Sequence, residues 1–480
     1  MSHPLTGSYP SSSNDPGRIR SLVETDTFWL WLFGGYFMLH VGLRIATGGA
    51  LGLDEAEILL DARELSWGYG PQLPLYVWLQ WLVFQITGPG LLGLSLLKNG
   101  ILLATVTALY LTIRTRQNPV VAGISVLSLL MLYQFSWESQ RALTHTVLAN
   151  LCSVLSFAVI WGLIRNPTTR VYVLLGVVMA AGGLSKYNYS IALIAILLAA
   201  LSDPETRKPF LSARILLSAG LAALLMSTPM MWILNNQAIA FESVRKLDMA
   251  DDWLTLMATA QGLAELVLAA LGFAALLLLV MGILWLIYRR QATSIVADDL
   301  LRFLMRTVLW ALVLMGLLVI ISGTTNVKDR WLQPSLLFAG PAIVLWLSPK
   351  IGQSGMRRFS QISAGLAVLI VAGMLHHNLV GNAKRAAPFA VLTPQILDQT
   401  PPESMIVAHN WLAGNMAYLA PDRPIHSDLD MSLTGPILRV WEAGRKAPKD
   451  IDPASVVTLT APYRFDDGEV MSLSFAPAIK

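Results

Sequence analysis

Apolar runs long enough to cross a bilayer recur along most of this chain, and that recurrence leaves few folds open to it. The first extends from about Phe28 to Ala46. With roughly 17 to 25 apolar residues needed per span, about eleven spans are predicted. Their centres lie near Phe37, Thr105, Leu127, Leu155, Val177, Ala195, Leu224, Leu276, Val313, Ile343 and Leu369. Only 13% of the 480 residues are charged, about half the share of a soluble domain. The pattern is that of an α-helical polytopic membrane protein. Only Ser185-Lys186-Tyr187-Asn188 separates the spans at Val177 and Ala195. The run from Leu73 to Ile86 is short and follows Pro71 and Pro74, so it is placed at the interface.

Residues 1–26 are rich in Ser, Pro, Asn and Gly and read as a flexible cytoplasmic tail. The long polar lead and the many later spans favour a retained first helix over a signal peptide. With the N-terminus in the cytoplasm, alternate loops carry the basic residues. These are Arg114 and Arg116; Arg165 and Arg170; Arg207, Lys208 and Arg214; Arg289, Arg290, Arg302 and Arg306; Lys350, Arg357 and Arg358. All then fall on the inner side, as the positive-inside rule requires. Asp54, the loop around Glu138, the loop from Asn235 to Gln261, Arg330 and the C-terminus are left outside. Residues 27–377 form the membrane unit, with juxtamembrane helices at about 54–87. The more polar residues 378–480 carry short β-like runs at Met405 to His409, Val456 to Thr460 and Val470 to Phe475, with a helix expected over Pro436 to Gly444. They predict a small α/β domain outside the membrane.

Several functions are excluded early. No basic stretch is interleaved with aromatics, so no nucleic-acid partner is expected. No glycine-rich nucleotide motif is present. Cys152 stands alone in an apolar run and reads as packing. His409 and His426 lack ligand spacing, so no metal site is assigned. No cofactor is required, and a divalent metal stays open.

The chemistry gathers just past the first span. Leu53-Asp54-Glu55-Ala56-Glu57 begins a stretch in which Glu57, Asp61 and Glu64 recur at helical spacing, while Ile58, Leu59 and Leu65 fall mostly on another side. This predicts an amphipathic helix on the outer surface. Asp54 at its start serves as an N-cap or as a general base, and the two roles are compatible. Lys98 lies inside the second span, where a lysine costs about 2.5–3.5 kcal/mol on insertion scales. Lys186 sits at an outer junction of two spans. Both either hold a phosphate at headgroup depth or snorkel.

The segment Leu53 to Ala56, with Gly68-Tyr69-Gly70-Pro71-Gln72-Leu73-Pro74-Leu75-Tyr76-Val77-Trp78-Leu79 after it, resembles bacterial glycosyltransferases related to the protein O-mannosyltransferases. The lipid A aminoarabinose and galacturonic acid transferases belong to the same GT-C group. Leu184-Ser185-Lys186-Tyr187 and Asp329-Arg330-Trp331-Leu332-Gln333-Pro334 are similar to later segments of that group. The resemblance covers roughly the first 350 residues. It implies a GT-C fold in the bacterial inner membrane, a polyprenyl-phosphate sugar donor, and an acceptor that is a lipid, a glycan or a protein. It maps the catalytic carboxylate to Asp54, with Glu55 as the second candidate. Lys98, Lys186, Arg330 and Arg141 are the candidate phosphate ligands. Tyr69, Gln72, Glu138 and His145 are candidates for the sugar or acceptor pocket. Glu138 and Asp329 are also expected to pair with Arg141 and Arg330. Leu73 replaces a proline of the family motif. Many relatives carry a second aspartate where this chain has His145 or Thr146, which weakens the case for an acidic pair or a bound metal. A flippase for lipid-linked sugars and a non-catalytic relative are the rival readings.

Overall fold

The computed structural model describes residues 22–242, 256–291, 298–380, 383–428, 433 and 435–479. The predicted tail falls mostly outside these residues. Its last member, Asp26, is already helical in α1 (Asp26–Thr47), which Thr25 caps by accepting from the Phe28 N–H at 3.3 Å. Then follow α2 (Leu53–Asp61), α3 (Leu75–Thr87) and α4 (Leu91–Arg114). After α5 (Pro119–Leu127) the chain tightens into a 3₁₀ turn at Ser128–Met131 and a π turn at Gln134–Glu138. The bundle continues through α6 (Thr144–Arg165), α7 (Thr169–Gly183), α8 (Tyr189–Leu201), α9 (Ile215–Asn235), α10 (Leu256–Tyr288), α11 (Asp299–Ser322), α12 (Asp329–Leu336) and α13 (Ala339–Leu379). Cys152 is buried in packing.

All eleven centres lie on helices, but among the described residues only seven helices are long and apolar enough to cross, or eight if the pair Pro119–Met131 and Gln134–Arg141, bent by 80°, is one span. At 1.5 Å per residue, α7 and α8 are only about 20 Å long, short of a hydrocarbon core of about 30 Å. The centres at Ile343 and Leu369 share α13, which leaves helical geometry at Gly352, φ 62°. Gly340 lies against Ser128 and Gly373 against Trp137. A straight helix would hold those glycines about 50 Å apart, so α13 folds back at Gly352.

The bundle has two chemically distinct ends. Arg114 meets Asp26 at one end, and Arg306 pairs there with Asp203 at 3.0 Å. Arg116 approaches Asp298 at 3.9 Å on the same side. Four of the five predicted basic loops therefore meet at this end. Asp54, Arg141, Lys186 and Arg330 lie at the other.

The C-terminal unit begins with α14 (Phe389–Asp398) and builds one sheet of order β2-β1-β3-β5-β4. Strands β1 (Met405–Ala408), β2 (Ile425–Ser427) and β3 (Ile437–Glu442) are parallel, and β4 (Val457–Tyr463) and β5 (Asp466–Pro477) complete it antiparallel. The expected helix over Pro436 to Gly444 is therefore a strand. Its alternating burial, with Leu438 and Val440 inward, is a period-two pattern. Helix α15 (Asn410–Leu419) crosses from β1 to β2 and packs against α2. Trp411 Nε1 donates to the Leu51 carbonyl at 2.8 Å, and Asn415 Oδ1 accepts from the Leu51 N–H at 2.7 Å.

The contact of α15 with α2 is backbone-close. A Cβ added at Gly414 would lie 2.4 Å from the Ala56 carbonyl oxygen. Gly414→Ala should lower the apparent Tm of the purified protein by several degrees and open the C-terminal unit to limited proteolysis, while membrane insertion stays normal. Wild-type protease resistance in this variant would contradict the packing described.

Candidate active site

Asp54 lies in the first turn of α2, but it does not cap that helix. Gly52 is the N-cap, and Glu55 Oε2 accepts the Gly52 N–H at 2.8 Å. Asp54 Oδ2 reaches across to accept from the N–H groups of Leu143 at 2.9 Å and Thr144 at 3.3 Å. The expected capping aspartate thus serves the N-terminus of α6, where backbone donors and the helix dipole favour an anion. Leu143 makes this possible with φ 59°, the one positive φ at a non-glycine among the described residues. Such strain persists where the surroundings impose it. Among the described residues Oδ1 of Asp54 has no hydrogen-bond partner.

Glu55 is a structural residue. Arg44 grips it bidentately, Nε to Oε1 at 3.1 Å and Nη2 to Oε2 at 2.8 Å, and Arg385 adds a bond to Oε1 at 2.9 Å. All three side chains are buried, at 7–8% exposure. Burial pushes the Glu55 carboxyl up, but Arg385 and Arg44, with Lys98 behind them, outweigh it and hold the group well below the usual carboxylate range. Arg385 also donates to the carbonyls of Gln140 at 3.3 Å and Arg141 at 3.2 Å. Lys98 Nζ donates to the next carbonyl, Ala142, at 3.0 Å. The turn that presents its N–H groups to Asp54 is therefore fixed from behind by two buried cations. A cavity of about 30 Å³ remains among Arg44, Glu55, Lys98, Asn99 and Arg385, room for on the order of one or two waters.

The other sequence motifs converge on the same end. The Leu75 N–H bonds the Leu184 carbonyl at 3.1 Å. Asn188 Nδ2 donates to the Trp331 carbonyl at 3.0 Å. Gln333 Nε2 donates to Ser139 Oγ at 3.2 Å. Lys186 Nζ donates to Thr146 Oγ1 at 2.6 Å, and the ammonium lies within electrostatic reach of Asp54 and Arg330. The His145 ring lies 5.4 Å from that of Tyr76. The Tyr76 hydroxyl and both His145 nitrogens are buried without a hydrogen-bond partner among the described residues. Buried orphans cost about 1–3 kcal/mol each unless something satisfies them.

The remaining candidates are placed as follows. Arg141 and Glu138 form the expected pair, at 2.7 Å, and Tyr133 also donates to Glu138 at 2.9 Å. Asp329 takes the Gln134 amide at 2.7 Å and only the backbone N–H of Arg330. The exposed Arg330 guanidinium thus has no ion pair among the described residues. Tyr69 and Gln72 close a two-residue turn through reciprocal backbone bonds of 3.2 and 3.0 Å, with Gly70 at φ 59°, the conformation glycine adopts without steric cost. The Tyr69 hydroxyl is used within its own loop, donating to the Glu64 carbonyl and accepting from the Ser66 N–H, both at 2.8 Å. No group of three or more metal-binding side chains occurs among the described residues.

Sequence reasoning missed Arg44, Arg385 and Tyr76. Arg44 carried a signal, an arginine inside the first apolar run. Arg385 carried none, since it meets Glu55 across 330 residues.

The profile of the dolichyl-phosphate-mannose-protein mannosyltransferase family matches residues 70–232. The chain is 33% identical over 439 residues to the lipopolysaccharide core galacturonosyltransferase RgtB of Rhizobium johnstonii, covering 87% of each protein. It is 29% identical over 438 residues to the core galacturonosyltransferase RgtA of the same organism, again covering 87% of each. Its fold is similar to that of ArnT from Cupriavidus metallidurans, solved bound to undecaprenyl phosphate. The TM-score is 0.63 at 13% identity, covering 93% of this chain and 98% of that one.

Removing one partner of a buried ion pair costs about 3–5 kcal/mol, because it leaves an uncompensated charge. Glu55→Gln should therefore lower the apparent Tm strongly and lose activity together with the fold. The sign of the pH dependence follows from the depressed Glu55 carboxyl. Its contribution is present above the unfolded value of about 4.3 and is lost as pH falls through the lower folded value. Wild-type thermal stability should hold from pH 8 to pH 5.5 and fall in stronger acid. A Glu55→Gln protein with wild-type Tm would contradict the clamp.

Proposed function

Because the chain belongs to the GT-C membrane glycosyltransferases, we propose that it moves a galacturonosyl unit from a polyprenyl-phosphate donor to a lipopolysaccharide core acceptor, with Asp54 as general base. The sugar and acceptor are supported by the names of RgtB and RgtA, the nearer at 33% identity across 87% of its length. The reaction takes place at the outer face of the inner membrane, with the N-terminus in the cytoplasm and the sheet domain in the periplasm. The gathering of basic loops at the end opposite Asp54 supports that orientation.

One observation carries the reading. Asp54 is anchored through Oδ2 alone, which leaves Oδ1 free to take a proton. The acceptor hydroxyl oxygen attacks the anomeric carbon and gives its proton to Oδ1. The bond from the anomeric carbon to the phosphate oxygen breaks, and polyprenyl phosphate leaves with the electron pair. A single carboxylate acting on the attacking side fits one displacement with inversion. Cations near the leaving group stabilise its charge in a site shielded from water. Lys186 and Arg330 lie on the Asp54 side, and Lys98 behind it. The cluster around Glu55 sets Arg44, Arg385 and Lys98 against one carboxylate, a local excess that favours an anionic donor.

The test is transfer of radiolabel from undecaprenyl-phosphate galacturonic acid to lipopolysaccharide core by the purified protein. Label appearing in the core glycan is the expected result. Label that crosses a proteoliposome membrane without transfer would mean a flippase, and binding without turnover a non-catalytic relative.

A pH dependence follows as well. Burial pushes the Lys186 ammonium down to about 8. The charge that holds phosphate is present below that pH and lost above it. The donor KM should rise about tenfold per unit of pH above 8, and Lys186→Arg should flatten the rise, because arginine stays charged. A donor KM independent of pH between 7 and 9.5 in the wild type would remove Lys186 from phosphate binding.

A further inference from the structure

The sheet domain carries a second cavity that the proposed reaction does not use. It measures about 360 Å³, within the range of roughly 300–1,000 Å³ usual for small-molecule sites. It opens at the carboxyl ends of β1 and β3. Ala408 and His409 form one wall, and Trp441 and Glu442 the other. In the order β2-β1-β3 the chain crosses to one side of β1 and returns to the other. Open α/β sheets bind ligands outside the strand ends at such a switch point.

The lining narrows the ligand class. Arg439 pairs with Asp450 at 2.7 Å, and Arg445 pairs with Glu442. Asp428 and Lys446 complete the ring. Both are exposed, and among the described residues neither has an ion-pair partner. Cations and carboxylates balance, unlike the anion cradle a nucleotide needs. The chain passes from β1 into α15 through His409 alone, without the glycines that let a backbone approach phosphate. A sugar hydroxyl both donates and accepts. Interleaved carboxylates and cations, two of each fixed by their own pairs, suit a polyhydroxylated ring.

A chain of contacts links the cavity wall to the reaction centre. Lys384 Nζ sits 4.4 Å from the Trp411 ring, two residues from His409. Its ammonium lies within electrostatic reach of Glu442 and Arg445 on one side and of Arg141 on the other. Arg385 bonds the Arg141 carbonyl, and two residues further on the Leu143 N–H meets Asp54.

We propose that this cavity is a second acceptor subsite, which holds a sugar unit of the core glycan remote from the hydroxyl that reacts at Asp54. The inference rests on the acceptor class given under Proposed function. It gives the sheet domain a part in substrate selection: a glycan long enough to reach both points binds better than its terminal sugar alone.

The experiment uses the full-length protein in detergent, with core oligosaccharide released from lipopolysaccharide and freed of lipid as the acceptor probe. Asp428→Asn and Lys446→Ala lie at the surface and should retain wild-type Tm. Each should raise the oligosaccharide KM tenfold or more, with kcat and donor KM within twofold of wild type. Lys446→Arg should restore most of the loss. Asp54→Asn should bind the oligosaccharide with wild-type Kd. An unchanged oligosaccharide KM in the Asp428→Asn, Lys446→Ala double variant, with transfer proceeding, overturns the subsite and leaves the proposed function standing. No transfer to core glycan by the wild-type protein overturns both.

Discussion

The buried contact of Glu55 with Arg44 and Arg385 is the constraint on which the site depends. It joins three parts of the chain, the last of them far from the others in sequence. Arg44 ends the first membrane helix, Glu55 lies in the amphipathic α2, and Arg385 leads into the sheet domain. Glu55 neighbours Asp54 in sequence, so whatever fixes one carboxylate aims the other. Arg385 carries the constraint onward by holding the carbonyls of Gln140 and Arg141. Lys98 holds Ala142. The backbone then turns through a left-handed Leu143, and the N-terminus of α6 is offered to Asp54. Two adjacent acidic residues thus divide the work, one shaping the scaffold and the other left with a free oxygen.

The arrangement also concerns charge. Taking ionised groups out of water costs several kcal/mol per ion unless partners and hydrogen bonds offset it. Glu55 is fully paired, and its cations find backbone carbonyls for their remaining donors. The local balance is still positive, and Lys186 and Arg330 extend that positive field past Asp54. A cation-rich cluster next to a carboxylate with one unoccupied oxygen suits a donor whose leaving group is an anion. Thr146, which with His145 was a candidate for the position of a second aspartate in relatives, accepts from Lys186.

Much of this was legible from sequence, for physical reasons. Span positions follow from apolar composition, which the bilayer imposes residue by residue. Asp54 was singled out by its place after the first span and by its motif, and the structure puts it against the N-terminus of α6. The motifs around Leu75, Leu184 and Trp331 proved to be spatial neighbours. What sequence could not show are contacts made at long range. Asp54 read as a cap for its own helix, because N-cap preference is local, whereas its donors lie some 90 residues on. Arg385 has no local signature at all. The strand at Ile437–Glu442 was taken for a helix because its parallel partner β1 lies far back in the sequence. Composition does not report where a helix ends: α7 and α8 are short, and α13 reverses at Gly352 so that its two arms carry the centres at Ile343 and Leu369.

The central claim, that Asp54 is the base and Glu55 its support, is tested most directly by turnover of Asp54→Asn at matched membrane abundance and matched Tm. Asparagine keeps an oxygen for the Leu143 and Thr144 N–H groups, so the fold should survive intact. The proton acceptor is lost, and general-base catalysis is typically worth about 10² to 10⁴ in rate. The account predicts wild-type Tm, wild-type donor binding and a kcat reduced by that factor. An Asp54→Asn protein that transfers sugar at near wild-type rate would contradict it.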